Sequence, residues 1–370
     1  NHGTLVNAEW TDGAPFDLDL SPDEPLLTEP ADGAAVDGTE VVLRATVADT
    51  EAPAVTVTIY GRPEPPPRES PFHVVALPDE DGDGRADSII EVGRDYDVAH
   101  SVAFDEAGRL LVAGSGTLYR LGLDEARTEV AREEILHYAP SGQHSTRTVA
   151  VTQDGSLLVS HGSSCNVCWE EDEERASIIT APSDGGEWRV LMRGLRNAVG
   201  LAIDPATGEA WATNNGRDLM GDDLPPETLY RVVDGDDAGW PRCHAGDIVD
   251  PDFGEEPDPI TGRVGCEAVV EPAAEFQAHM APLGIDFWDG GAAIAFHGSW
   301  NRSETVGYEV WWRPWDDGPA GDPITLVGGF LDPETGEATG RPAGITVGSD
   351  GALYVSDDKG GFIYRVMKTG

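Results

Sequence analysis

Gly200-Leu201-Ala202-Ile203-Asp204, Gly208-Glu209-Ala210-Trp211-Ala212 and Leu229-Tyr230-Arg231-Val232 form the stretch whose reading decides the fold. A short apolar run meets an Asp/Gly turn, a second apolar run follows, and a Tyr-Arg-Val-like run closes the unit. Runs this short, bounded by turn residues, read as strands rather than helices. The unit recurs at 101–105, 108–112 and 118–121, and again at 148–151 and 154–159. Later copies lie at 284–287 and 292–296, and at 344–347, 350–355 and 362–366. Repetition of this kind, without long helical periodicity, argues for an all-β chain built radially, as in a β-propeller with blades of about 40–50 residues. A β-sandwich is the alternative, but it gives no reason for the regularity. The wide gap after the third copy holds an insertion at 240–280, which either hides a blade or forms a loop on one end.

Residues 1–71 lie outside the repeat. The runs 41–47 and 55–60 alternate like a short antiparallel pair, resembling part of an immunoglobulin-like module with too few strands for a whole one. Residues 63–71 read as an extended proline-rich linker. We therefore expect an N-terminal β extension over 1–71, free or packed on the propeller as extra strands, and the propeller domain over 72–370.

Composition narrows the class. A net charge of −44 on a chain that is 39% hydrophobic leaves enough apolar material for a core, so acidity here does not mean disorder. Lys359 and Lys368 are the only lysines. A carboxylate-covered, lysine-poor surface suits solubility at high salt, and a halophilic origin is expected, with an ordinary acidic secreted protein as the alternative. Nucleic acid is excluded as a partner by the lack of a basic face, and no apolar run approaches a membrane span. Starting at Asn1, the chain reads as a processed or trimmed form of an exported protein, extracellular or periplasmic. The pairs Cys165/Cys168 and Cys243/Cys266 read as disulfides, which fits export; for the first pair zinc is the alternative, and a redox-active dithiol is a further one that lacks the helix start that lowers a thiol pKa.

Several loops carry chemistry. Asp79, Asp81, Asp83 and Asp87 occupy positions one, three, five and nine of an acidic loop over 79–91, with Gly84 at position six. That is calcium-loop spacing, short of the usual glutamate at twelve, and it predicts a structural Ca2+ site or else a plain acidic turn. Arg196 and Asn197 precede one strand, and the Gly/Asp/Pro-rich stretch from Asn214 to Pro226 follows the next. Such an arrangement suits an anionic, carbonyl-rich cofactor between a guanidinium and a hard cation. Taken alone, the pair also reads as a surface arginine and a turn asparagine. His144 opens the second repeat, and an isolated histidine is more often a hydrogen-bonding residue than a base.

In order and content these motifs resemble the soluble glucose/sorbosone dehydrogenase family, which uses pyrroloquinoline quinone and calcium. The resemblance spans roughly 78–366. It is carried by Gly194-Leu195-Arg196-Asn197-Ala198-Val199-Gly200, Asn215-Gly216-Arg217, Ser163-Ser164-Cys165-Asn166-Val167-Cys168-Trp169-Glu170 and Gly239-Trp240-Pro241. His279-Met280-Ala281-Pro282-Leu283-Gly284 and Gly298-Ser299-Trp300-Asn301-Arg302 add to it, with Met280 departing from the family's usual serine. The resemblance implies six blades, the sixth having no repeat of its own in the sequence. It implies oxidation of an aldose, pyranose or related polyol by hydride transfer to the quinone, with an external electron acceptor. His144 is then the general base, and Arg196 and Asn197 contact the cofactor. His279 and Trp300 line the cofactor, while Arg302 and Arg341 meet its carboxylates. The main-chain oxygens of Gly216 and Arg217 hold calcium. Asp218, Asp222 and Asp223 invite ligation by composition, but in the family that stretch looks more like a loop-ordering element. A calcium-dependent propeller hydrolase or lactonase, and a non-catalytic glycan- or protein-binding propeller, are the alternatives.

Overall fold

The aspartate-glycine turn of the first repeat joins two antiparallel strands by a side-chain hydrogen bond across the turn. In the computed structural model, Asp105 Oδ1 accepts the N–H groups of Ala107 (3.0 Å) and Arg109 (2.9 Å). Gly108 sits between them at φ +72°, where a side chain would be strained. The structure describes residues 74–80, 86–140, 142–332 and 334–368, together with the strands Thr4–Ala8, Val41–Ala45 and Val55–Tyr60.

Five four-stranded antiparallel sheets follow one another. Blade one is Ser101–Phe104, Leu110–Ala113, Thr117–Leu123 and Glu129–His137. Blade two is Val149–Val151, Leu157–His161, Ser177–Ala181 and Arg189–Arg193. Leu201–Ile203, Ala210–Asn214, Glu227–Arg231 and Ala274–Phe276 make blade three. Blade four is Pro282–Trp288, Gly291–Phe296, Glu309–Pro314 and Ile324–Val327. Blade five takes Pro342–Val347, Leu353–Asp357 and Phe362–Lys368 from the C-terminal end and Val55–Tyr60 from the other, the latter paired antiparallel to Phe362–Lys368. First strands of successive blades contact one another, so they line the centre.

The core is a series of interfaces between blades. Leu111 and Ala113 face Leu157, Val159 and Ile179 of blade two. Alternation sends Leu110 and Val112 the other way, onto Val74, Ala76 and Val92. Such a strand is buried on both faces, and each fully buried leucine is worth about 2–5 kcal/mol against alanine.

Two expectations are corrected here. The propeller has five four-stranded blades among the described residues, not six. Beside blade one, the described residues place only the two-stranded ladder of Val74–Ala76 with Ile90–Gly93. The 240–280 insertion hides no blade either. It folds as an excursion with a small hairpin, Cys243–His244 against Ile248–Val249, then supplies the outer strand of blade three. The second correction concerns the N-terminal runs. Val41–Ala45 pairs with Thr4–Ala8 and Val55–Tyr60 with blade five, not with each other. Alternation identifies a strand but not its partner. Both expected disulfides are formed, Cys165–Cys168 and Cys243–Cys266. No helix among the described residues is long and apolar enough to cross a membrane.

Candidate functional site

Loops that open blades two, three and four converge with Ser163–Glu170 on one network of hydrogen bonds. Arg196, only 3% exposed, is its centre. Its Nε donates to the carbonyl of Asn166 (2.9 Å), and its Nη2 donates to Asn166 Oδ1 (2.9 Å) and Asp218 Oδ2 (2.7 Å). Burial draws the guanidinium pKa down, and Asp218 and Glu227 oppose that. Asp218 is held in turn by the Asn301 amide (3.0 Å). Arg302 donates to the Asp222 carbonyl and to Asp223 Oδ1 (3.0 Å), and His279 Nε2 lies 2.8 Å from the Gly221 carbonyl. Arg341 gives Nε and Nη2 to the carbonyls of His297 (3.0 Å) and Gly298 (2.7 Å), fixing the turn before Trp300. Trp300 itself is 70% exposed at the rim.

His144 stands next to this network. Its Nδ1 lies 3.1 Å from the Ser163 carbonyl and 2.9 Å from Ser163 Oγ. A carbonyl only accepts, so Nδ1 carries the proton and Nε2 keeps its lone pair. Burial first, then the Arg196 charge, lower the imidazole pKa to about 4. Asn197 is fixed through its backbone, with its N–H on Asn214 Oδ1 (3.1 Å), while its own Oδ1 is buried without a partner. Between the two lies Gly162. A Cβ there would stand 2.4 Å from His144 Cβ and 2.7 Å from Asn197 Oδ1. We expect Gly162→Ala to destabilise the fold by about 1–3 kcal/mol through overpacking and to displace the His144 ring. Denaturant unfolding and the imidazole resonances of His144 read the two effects.

The Asn215-Gly216-Arg217 loop is held by its neighbours on several sides. Arg217 points its side chain away, onto Asp250 and Asp252 (both 2.5 Å), and Asp250 also meets His244 (2.8 Å). The N–H of Gly216 donates to Glu227 Oε2 (2.6 Å). Burial pushes the Glu227 carboxyl up to about 7. Among the described residues no hydrogen bond ends on the carbonyl of Gly216 or Arg217. Of the acidic loop, Asp81 and Asp83 lie outside the described residues. Asp79 and Asp87 lie inside them, and Asp87 ties the loop ends by accepting the Glu80 N–H (2.6 Å).

The structure thus joins Arg196 to Asn301, His279 and Arg302 to the 221–223 stretch, and Arg341 to the 297–298 turn. None of these contacts involves Asp79 or Asp87, while Asp81 and Asp83 lie outside the described residues. Sequence reasoning missed Ser163, Asn166 and Glu227. Glu227, directly after Pro225-Pro226, and Asn166, between two cysteines, carried only weak local signals.

A family model described as TrAA12-like matches residues 74–225 and 253–369. An uncharacterized protein of Borreliella burgdorferi is 30% identical over 239 residues, covering 61% of this chain and 61% of that protein. A pyrroloquinoline quinone-dependent pyranose dehydrogenase of Coprinopsis cinerea is 26% identical over 360 residues, covering 78% of this chain and 48% of that protein. The chain therefore spans less than two thirds of either relative. A solved calcium structure of Trichoderma reesei Carbohydrate-Active Enzymes Family AA12 superposes with a TM-score of 0.67 at 21% identity, covering 88% of this chain and 95% of that one. At that identity the likeness shows the fold.

Proposed function

This chain belongs to the TrAA12-like family, and from that premise we propose that it oxidises an aldose, pyranose or related polyol with pyrroloquinoline quinone and calcium. The observation that carries the reading is the joining of an Nδ1-protonated His144 to Arg196 and Asn197 through Ser163, Gly162 and Asn166. The residues suit such a group. Asn197 Oδ1 and Arg302 Nε are buried and unpaired, Gly162 leaves room that a Cβ would fill, and the Gly216 and Arg217 carbonyls receive no hydrogen bond among the described residues. When bound, the quinone supplies a two-electron acceptor for the hydride of the sugar carbinol carbon, and calcium polarises a quinone carbonyl.

In this reading His144 Nε2 takes the proton of the sugar hydroxyl, and Ser163 keeps the ring in the required tautomer. Arg196 offers fixed positive charge where negative charge grows, held still by Asn166 and Asp218. Asn197 and His279 line the cofactor. Arg302 faces its carboxylates, and Arg341 contributes through the donors left after it holds the 297–298 turn. Trp300 presents a ring face at the rim. The Gly216 and Arg217 carbonyls hold calcium, with Glu227 aligning the Gly216 peptide. A second, structural calcium belongs to the Asp79–Asp87 loop. The two disulfides fit export to an oxidising compartment.

Apo-protein loaded with pyrroloquinoline quinone and calcium, at low and high salt, is expected to reduce a redox dye with one or more sugars. Chelation with EGTA should abolish turnover, and added calcium should restore it. Folded protein that binds no quinone in the presence of calcium would overturn the reading and leave the hydrolase and the binding module.

A further inference from the structure

Hydrogen bonds leaving one short segment, 163–168, reach both groups assigned to the reacting atoms. Ser163 Oγ has a single proton and donates it to the Cys165 carbonyl (2.6 Å). Toward His144 Nδ1 that oxygen is therefore an acceptor, and the Cys165 carbonyl fixes which way the hydroxyl points. Asn166 accepts Arg196 Nε on its carbonyl and Arg196 Nη2 on its side chain. The same amide accepts the Asp218 N–H (2.9 Å) and donates to the Asp218 carbonyl (3.1 Å), so it aligns both halves of the Arg196–Asp218 pair. The backbone continues the tie. Ser163 N–H donates to the Arg196 carbonyl (2.8 Å), and His144 N–H donates to the Ser163 carbonyl (3.2 Å). Glu170 clamps the neighbouring Ser164 at its N–H and its hydroxyl (both 2.7 Å). Asn166 lies inside the small ring closed by the Cys165–Cys168 disulfide.

The geometry points to this ring as a reducible positioning device, in which Asn166 sets Arg196, Ser163 sets His144, and the Cys165–Cys168 bond keeps both in place. The inference rests on the reading above. Neither Asn166 nor Ser163 is a catalytic residue; each acts through its neighbour. A dithiol reductant would supply two electrons and two protons. The sulfur–sulfur bond breaks, two thiols form, and the reductant leaves as its cyclic disulfide. Opening the ring frees the Asn166 peptide, and the fork it presents to Arg196 is lost. The second disulfide keeps one sulfur, on Cys243, fully buried, while Cys266 is half-buried like Cys165 and Cys168, so the double variant that retains it is what tells the two bonds apart.

The test uses the full chain. Wild type, Asn166→Ala, Asn166→Asp and the Cys165→Ser/Cys168→Ser double variant are titrated calorimetrically with pyrroloquinoline quinone at saturating calcium. The Kd is expected to rise about tenfold in Asn166→Ala and in the double variant, the lower end of what losing a supporting partner costs at metal ligands. Asn166→Asp keeps both acceptors for Arg196 and should recover most of that affinity. Wild type reduced with dithiothreitol and desalted without oxygen should weaken likewise and recover on reoxidation. The double variant should not respond. A second readout needs no quinone: nitrogen-15 NMR should show His144 as the Nδ1–H tautomer in oxidised wild type and as a mixture in the double variant. An unchanged tautomer together with unchanged affinity in the double variant overturns the inference. Oxidised wild type that holds the Nδ1–H tautomer where the double variant shows a mixture, but that binds no quinone, overturns the dehydrogenase reading instead and leaves the positioning of His144 standing.

Discussion

His144→Ala is expected to lower kcat/KM for sugar oxidation by about 10²–10⁴-fold, the usual worth of a positioned base, while quinone affinity stays within a few-fold. The separation follows from the geometry. The imidazole is fixed through Nδ1 by Ser163, and no hydrogen bond runs from the ring to Arg196 or Asn197. Its Nε2 is the group with an unshared pair to offer a sugar hydroxyl. With a pKa near 4 it is neutral at any pH above about 5, so in the apo-protein its NMR titration should fall well below the ordinary 6.5. The sign for stability follows. The folded protein disfavours imidazolium, whereas the unfolded chain takes up a proton near pH 6.5. Stability from this group is thus complete above pH 6.5 and is lost as the pH falls toward 4. Burial lowers the pKa of His100 and His161 as well, so the described residues carry three such contributions and His144→Ala should lose one. Urea midpoints at pH 7 and pH 5 measure the difference. Near-wild-type turnover in the alanine variant would rule out His144 as the base.

The repeat was readable because each copy states its own structure. A short continuous apolar run marks a strand buried on both faces, and an Asp/Gly turn sets the hairpin between two such runs. What the chain does not write locally is partnership. The outer strand of blade three, Ala274–Phe276, is three residues long and follows an excursion of some forty, so no periodicity announces it. Val55–Tyr60 looks like a strand anywhere, and only the sheet shows that its neighbour is Phe362–Lys368. A sixth blade was expected from resemblance without a sixth repeat, and the described residues supply two strands where it would stand. The site divides in the same way. Arginine and asparagine at the opening of a blade are conspicuous in so acidic a chain. The contacts that aim them are not, because Asn166 reaches Arg196 across 30 positions and Asn301 reaches Asp218 across 83. Spacing along a sequence carries no trace of such contacts.

Arg196→Met is expected to raise the quinone Kd by about 10²-fold or more and to destabilise the protein by about 3–5 kcal/mol, the penalty for breaking a buried ion pair from one side. Two separate losses stand behind these numbers. The cofactor loses the cation that meets its growing negative charge. The protein loses the partner of Asp218 Oδ2, a poorly exposed carboxylate, and one donor at each Asn166 oxygen, the side chain keeping the Asp218 N–H and the carbonyl the Trp240 indole. Arg196→Lys separates the two. An ammonium restores the charge, but it cannot place one donor on the Asn166 carbonyl while a second bridges Asn166 Oδ1 and Asp218 Oδ2, as the planar guanidinium does. Lysine should therefore recover part of the stability and little of the affinity. Quinone titration and thermal unfolding of both variants give the comparison. In the Arg196→Met background, Asn166→Ala should add little to the Kd, because the arginine through which Asn166 acts is gone. Additive effects of the two substitutions would mean that Asn166 reaches the cofactor by another route, and wild-type affinity in Arg196→Met would remove the guanidinium from the site altogether.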